Sequence, residues 1–114
     1  MSAELIDLGH GHTLRFYAWG PDRDLNPQYA GIPDVERYGA LVAHPARPDD
    51  GNVTCADTGQ CEGAITFAGE VQQRIAPRAT TWTVESWGPL TLSPSLLCHC
   101  GDHGFVRAGK WVTA

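Results

Sequence analysis

His12-Thr13-Leu14-Arg15-Phe16-Tyr17-Ala18-Trp19 alternates along its length. In an extended chain Leu14, Phe16 and Ala18 fall on one face, and Arg15, Tyr17 and Trp19 on the other. A period of two over this length predicts a half-buried β-strand. Just before it, residues 4–8 form a short apolar run, and Gly9 and Gly11 supply a tight turn, so the two runs are expected to pair as a hairpin. The imidazoles of His10 and His12 diverge around such a turn, and the pair reads as solvent-facing.

The same signal recurs down the chain. Residues 38–43 and 63–67 are short apolar runs that suit buried strands. Residues 80–86 alternate, with Trp82 and Val84 inward and Thr81, Thr83 and Glu85 outward. Residues 89–92 make a short strand bounded by prolines. Residues 105–107 and 110–113 flank Ala108-Gly109 as a closing hairpin. Helix is scarce. Pro33 at a start position predicts one turn over 33–37, and Glu70–Ile75 predicts another before Pro77 stops it. The expected fold is a mainly β, small antiparallel sheet domain with a zinc-ribbon-like metal site and little helix. Loop 20–32 is polar and proline-rich but carries Leu25, Tyr29 and Ile32, so it either packs back or docks on a partner. Residues 45–52 read as a turn.

At 114 residues the chain reads as a single domain spanning 1–114. A hydrophobic share of 42% supports a folded core. The net charge of −5 comes from 13 acidic against 8 basic residues. Lys110 is the sole lysine and the arginines are scattered, so no basic stripe exists to hold nucleic acid. No apolar run approaches the ~18 residues of a membrane span. Met1-Ser2-Ala3-Glu4-Leu5-Ile6-Asp7 has neither the basic start nor the apolar run of a secretory leader. The cysteines are therefore read as thiols or ligands before disulfides.

All four cysteines sit in two close pairs, Cys55 with Cys61 and Cys98 with Cys100. Cys100-Gly101-Asp102-His103 is a C-x-x-H turn in which Gly101 lets both donors face one ion. Two ligand-bearing turns separated by a core-forming stretch predict a tetrahedral zinc site of Cys55, Cys61, Cys100 and His103. Cys98 competes with Cys55 for the fourth place. The plainer alternatives are a Cys55–Cys61 disulfide or four unlinked thiols. His44 lies eleven positions before Cys55 and either approaches the site or simply ends a strand, the plainer reading. Four sulfur and nitrogen ligands close the shell and imply a non-catalytic ion. A zinc hydrolase is the rival, with Cys61, Cys100, His103 and a water on the ion and Asp102 or Glu62 as general base; the chain has no H-E-x-x-H pairing. A nucleic-acid-binding zinc ribbon is opposed by the charge. Trp19, Trp82, Trp87 and Trp111 read as core. Ser93-Pro94-Ser95 lacks the G-x-S-x-G elbow and reads as a turn into the metal knuckle.

Leu90-Thr91-Leu92-Ser93-Pro94-Ser95-Leu96-Leu97, followed by Cys100-Gly101-Asp102-His103-Gly104-Phe105-Val106-Arg107-Ala108-Gly109-Lys110-Trp111, resembles the DUF6527 family of small bacterial and phage domains. Cys61-Glu62-Gly63-Ala64-Ile65 resembles that family's cysteine turn, and Trp82-Thr83-Val84-Glu85-Ser86 its tryptophan strand. The resemblance spans residues 53–113. It implies metal binding by Cys61, Cys100 and His103, and no activity. The family clusters its first cysteines more tightly than Cys55 and Cys61. The front half, around Trp19-Gly20-Pro21-Asp22-Arg23, is similar to proteins of actinobacterial phages. The expectation is a phage-encoded, zinc-stabilised binding, accessory or virion-associated protein in the host cytoplasm or the virion. Its partner would be a phage or host protein, with neither nucleic acid nor membrane involved.

Overall fold

The computed structural model describes residues 4–45, 60–98 and 102–114. Cys55 and Cys100, like most of the 45–52 turn, lie outside the described residues. The described chain is mainly β. Strands β1 (Ile6–Gly9), β2 (His12–Trp19), β3 (Val35–Pro45), β4 (Gln60–Phe67), β5 (Thr81–Trp87) and β6 (Leu90–Ser93) form one sheet in sequence order. Strands β7 (Leu96–Leu97), β8 (His103–Arg107) and β9 (Lys110–Thr113) form a second, antiparallel sheet. A short helix, α1 (Glu70–Ile75), joins β4 to β5. No helix among the described residues is long and apolar enough to cross a membrane.

The expected hairpin is present. Gly9, His10 and Gly11 all take positive φ, and the Gly9 N–H donates to Asp7 Oδ1 at 2.8 Å. Glycine on both sides of His10 makes that left-handed turn accessible. Alternation on β2 buries Leu14 and half-buries Phe16, as the pattern requires. Leu14, Ala40, Ile65, Phe67, Leu92, Leu96, Val106 and Trp111 share one core drawn from both sheets. Trp82 and Val84 pack against it while Thr83 and Glu85 point out.

Two expectations differ from the structure. The sheet is mixed, not purely antiparallel, because β4 and β5 run parallel through Thr66↔Thr81 and Phe67↔Trp82. Helix α1 carries the chain back to make that parallel pairing possible. Its buried Gln72 stabilises it at both ends, accepting from Gly69 N–H at 3.3 Å and donating to Ala76 O at 2.9 Å. The helical turn over 33–37 is absent: β3 begins at Val35, which pairs with Trp19. A single turn is a costly nucleus for one hydrogen bond, and strand pairing outweighs it.

Loop 20–32 packs back through Tyr29 and Ile32, while Leu25 stays exposed. Ile32 is buried, and Tyr29, in a 3-10 turn (Pro27–Tyr29), meets Trp19 edge-on at 5.3 Å. Arg23 donates to Ile32 O at 2.6 Å and Pro21 O at 3.1 Å, which ties the loop to itself.

Candidate metal centre

Strand register builds the centre. Antiparallel pairing places the start of β2, the end of β3 and the start of β4 at one end of the larger sheet. His44 lies directly across from Cys61. Thr13 faces Ala43, so His12 lies one step further along, beside His44, and the two rings stack with centroids 5.1 Å apart. His12 continues the inward row of Leu14 and Phe16, and His44 that of Ala40 and Val42. His12, His44 and Cys61 are all buried.

The smaller sheet closes over this row. The Cys98 N–H donates to Asp102 O at 2.8 Å, so both residues stand at the mouth of the same short loop. Trp111 on β9 lies flat against His12, with ring centroids 4.0 Å apart and planes 9° apart. Gly104 on β8 makes room for it: a Cβ there would sit 2.6 Å from the Trp111 ring carbons. The buried indole Nε1 of Trp111 has no hydrogen-bond partner among the described residues.

Two overlapping sets of donors result. His44, Cys61 and Cys98 bring their ligand atoms within 4.8 Å of one another, and so do His12, His44 and Asp102. Both are capable of holding a metal ion. Each imidazole is oriented by the chain: His12 Nδ1 donates to His10 O at 2.9 Å, and His44 Nδ1 donates to Pro45 O at 2.9 Å. A neutral ring that donates from Nδ1 carries its lone pair on Nε2, the arrangement common in metal-bound histidine. His12 Nε2 lies 2.6 Å from Asp102 Oδ2, and His44 Nε2 lies 3.8 Å from the same oxygen. Cys61 carries a disulfide whose partner lies outside the described residues. A thiolate ligand at Cys61 therefore belongs to the reduced chain.

A pocket of about 160 Å³ opens on this cluster. Its walls include His12, His44, Cys98 and Asp102 on the polar side, with Ile65 and Trp111 on the apolar side.

Of the residues singled out from sequence, Cys61 and Cys98 come together, and Cys55 and Cys100 lie outside the described residues. His103 is exposed on β8, where Nε2 meets Ser95 Oγ at 2.8 Å, and it belongs to neither donor set. His12 is buried, against the solvent-facing reading, because it keeps the period of β2 instead of following the turn. His44 is more than a strand-terminal polar residue. Both were detectable as histidines in phase with inward apolar positions. Comparison of the chain with family models, curated proteins and solved structures returns no match.

Proposed function

We propose that this chain is a zinc-stabilised β domain with a zinc-ribbon-like site, acting as a non-catalytic binding or accessory module. The observation that carries this reading is the convergence of His44, Cys61 and Cys98 within 4.8 Å at the corner where the two sheets meet. His44 and Cys61 come from the larger sheet and Cys98 from the end of β7, so one ion joins both layers. In a domain of this size such a staple adds its binding energy to folding. In this reading His44 takes the imidazole place assigned from sequence to His103, and Cys55 or Cys100 supplies the fourth donor. Two thiolates and an imidazole favour zinc over harder cations. Sulfur atoms close enough to share an ion are also close enough to form a disulfide on oxidation, so the reading applies to the reduced chain. The resemblance of residues 53–113 to DUF6527 is consistent with a metal role, and the net charge of −5 favours a protein partner over nucleic acid.

The test is elemental analysis of chain purified under reductant without added metal. About one zinc per chain is expected. Replacement by Co(II) should give a thiolate-to-cobalt charge-transfer band that Cys98→Ser weakens. Reduced, folded protein free of metal would sink the proposal.

A further inference from the structure

We infer that His12, His44 and Asp102 form a second cation site, built from nitrogen and oxygen donors and open to the pocket. It goes beyond the thiolate centre and shares only His44 with it. Three observations converge on it. The first is the 2.6 Å contact between His12 Nε2 and Asp102 Oδ2. That contact is a hydrogen bond when the ring carries a proton at Nε2. The same two atoms, with His44 Nε2 3.8 Å from the same oxygen, belong to a donor set whose ligand atoms all lie within 4.8 Å of one another, so a bound cation could take the place of that proton.

The second observation is the orientation of both rings. Donation from each Nδ1 to a backbone carbonyl is the outer support that fixes histidine ligands. The third is the pocket. Asp102, His12 and His44 line it together with Trp111, whose buried Nε1–H lacks a partner among the described residues. Two imidazoles and one carboxylate suit divalent ions of borderline hardness, such as Mn(II), Fe(II) or Co(II), and leave coordination positions open. A divalent ion with one carboxylate and two neutral rings keeps one positive charge. The open face therefore favours water or a small anionic oxygen ligand such as a carboxylate.

This site uses no sulfur. With Cys61 in its disulfide, the nitrogen–oxygen set is the one whose donors are complete. In the reduced chain the two ions compete for His44.

The probe is Mn(II), which thiolates bind poorly. It is titrated into the full chain without reductant and into a Cys61→Ser/Cys98→Ser chain, with free Mn(II) read by electron paramagnetic resonance. Saturable uptake of about one ion per chain is expected, weakened at least about tenfold by Asp102→Asn and by His12→Gln. Asp102→Asn keeps the side chain's size, so it decides the matter if the histidine variant does not fold. The unreduced parent decides it if the double variant does not. Bound Mn(II) should also enhance water proton relaxation, and acetate should quench that enhancement. No saturable uptake would leave the 2.6 Å contact as an imidazolium–carboxylate pair and overturn the site. Uptake indifferent to Asp102→Asn would do the same. Bound Mn(II) with no exchangeable water would overturn the open face. The cobalt–thiolate band of the reduced parent is a separate readout, so the zinc proposal and this one fail separately.

Discussion

Strands β2, β3 and β4 pass through both ends of the larger sheet, and the two ends are held by different chemistry. At one end lie Phe16, Phe67 and Trp87, mutually edge-on at 5.6–6.0 Å, with the Arg37 guanidinium 4.8 Å from the Phe16 ring and 5.3 Å from that of Trp87. Trp19, Tyr29 and Tyr38 form a second ring group, with Arg23 over Trp19 at 5.5 Å. Ring edges meet ring faces and cations sit on π clouds, so this end satisfies itself. At the other end His12, His44, Cys61, Cys98 and Asp102 gather polar and sulfur atoms into two groups that could hold a metal ion. The same three strands thus carry one end held by ring and cation–π contacts and one end whose donors could hold a cation.

The sharpest way to break this comparison is to remove metal. Under reductant, a chelator should destabilise the chain by about 4 kcal/mol if working metal exceeds its dissociation constant roughly a thousandfold. For a chain near this length that corresponds to a melting-temperature drop of roughly 15–30 °C, read by calorimetry. An unchanged melting temperature would show that the polar end is as self-sufficient as the aromatic one.

The sheet framework is more legible in the sequence than either end: Trp87 reads as core but is exposed, and Arg37 reads as part of a helical turn but lies on β3. Alternation marks Leu14, Phe16, Trp82 and Val84, since burial on one face imposes a period of two whatever the partner strands are. The parallel β4–β5 pairing escaped because pairing direction depends on where a six-residue helix returns the chain, and local pattern does not encode that. Cys61 and Cys98 were legible from cysteine pairing. His12 and His44 are less legible. The glycine turn argues for a solvent-facing His12, whereas its phase with Leu14 buries it. His44 reads as a strand end, and only the antiparallel register that sets it across from Cys61 shows its place in the centre.

Gly104→Ala sharpens the comparison from the polar side. The added Cβ would meet the Trp111 ring at 2.6 Å and Val112 O at 2.7 Å, so the ring or the strand must shift. Overpacking of this kind costs about 1–3 kcal/mol. The variant should also disturb the Trp111–His12 stack and so weaken metal uptake, read by tryptophan fluorescence and by metal titration together. A destabilised variant with unaltered metal affinity would uncouple Trp111 from the centre.

Arg37→Ala tests the aromatic end by itself. Loss of the guanidinium from the Phe16 and Trp87 rings should cost about 1 kcal/mol in urea unfolding. The loss should be the same in metal-loaded and metal-free chain, because Arg37 sits on Phe16 and Trp87 and not on any donor residue. A cost that changes with metal would mean that the ends are coupled through β2 and β3.

The smallest effect expected is alkaline and also belongs to the aromatic end. Burial pushes the Tyr38 phenol above its ordinary value of 10.0, and the neighbouring Tyr17 and Tyr29 raise it further once they ionise. The folded chain therefore holds this proton more tightly than the unfolded chain does. Stability from this group is fully present below pH 10 and declines as pH rises from there through the folded-state value. Parent and Tyr38→Phe should accordingly differ in the slope of stability against pH only above that point, with the parent falling faster. Ultraviolet titration of the phenolates should show the highest-titrating component disappear in the variant. Chelation should leave both results unchanged, because nothing at this end calls for an ion. If the two chains lose stability in parallel above pH 10, Tyr38 is not the group that holds its proton more tightly in the folded chain.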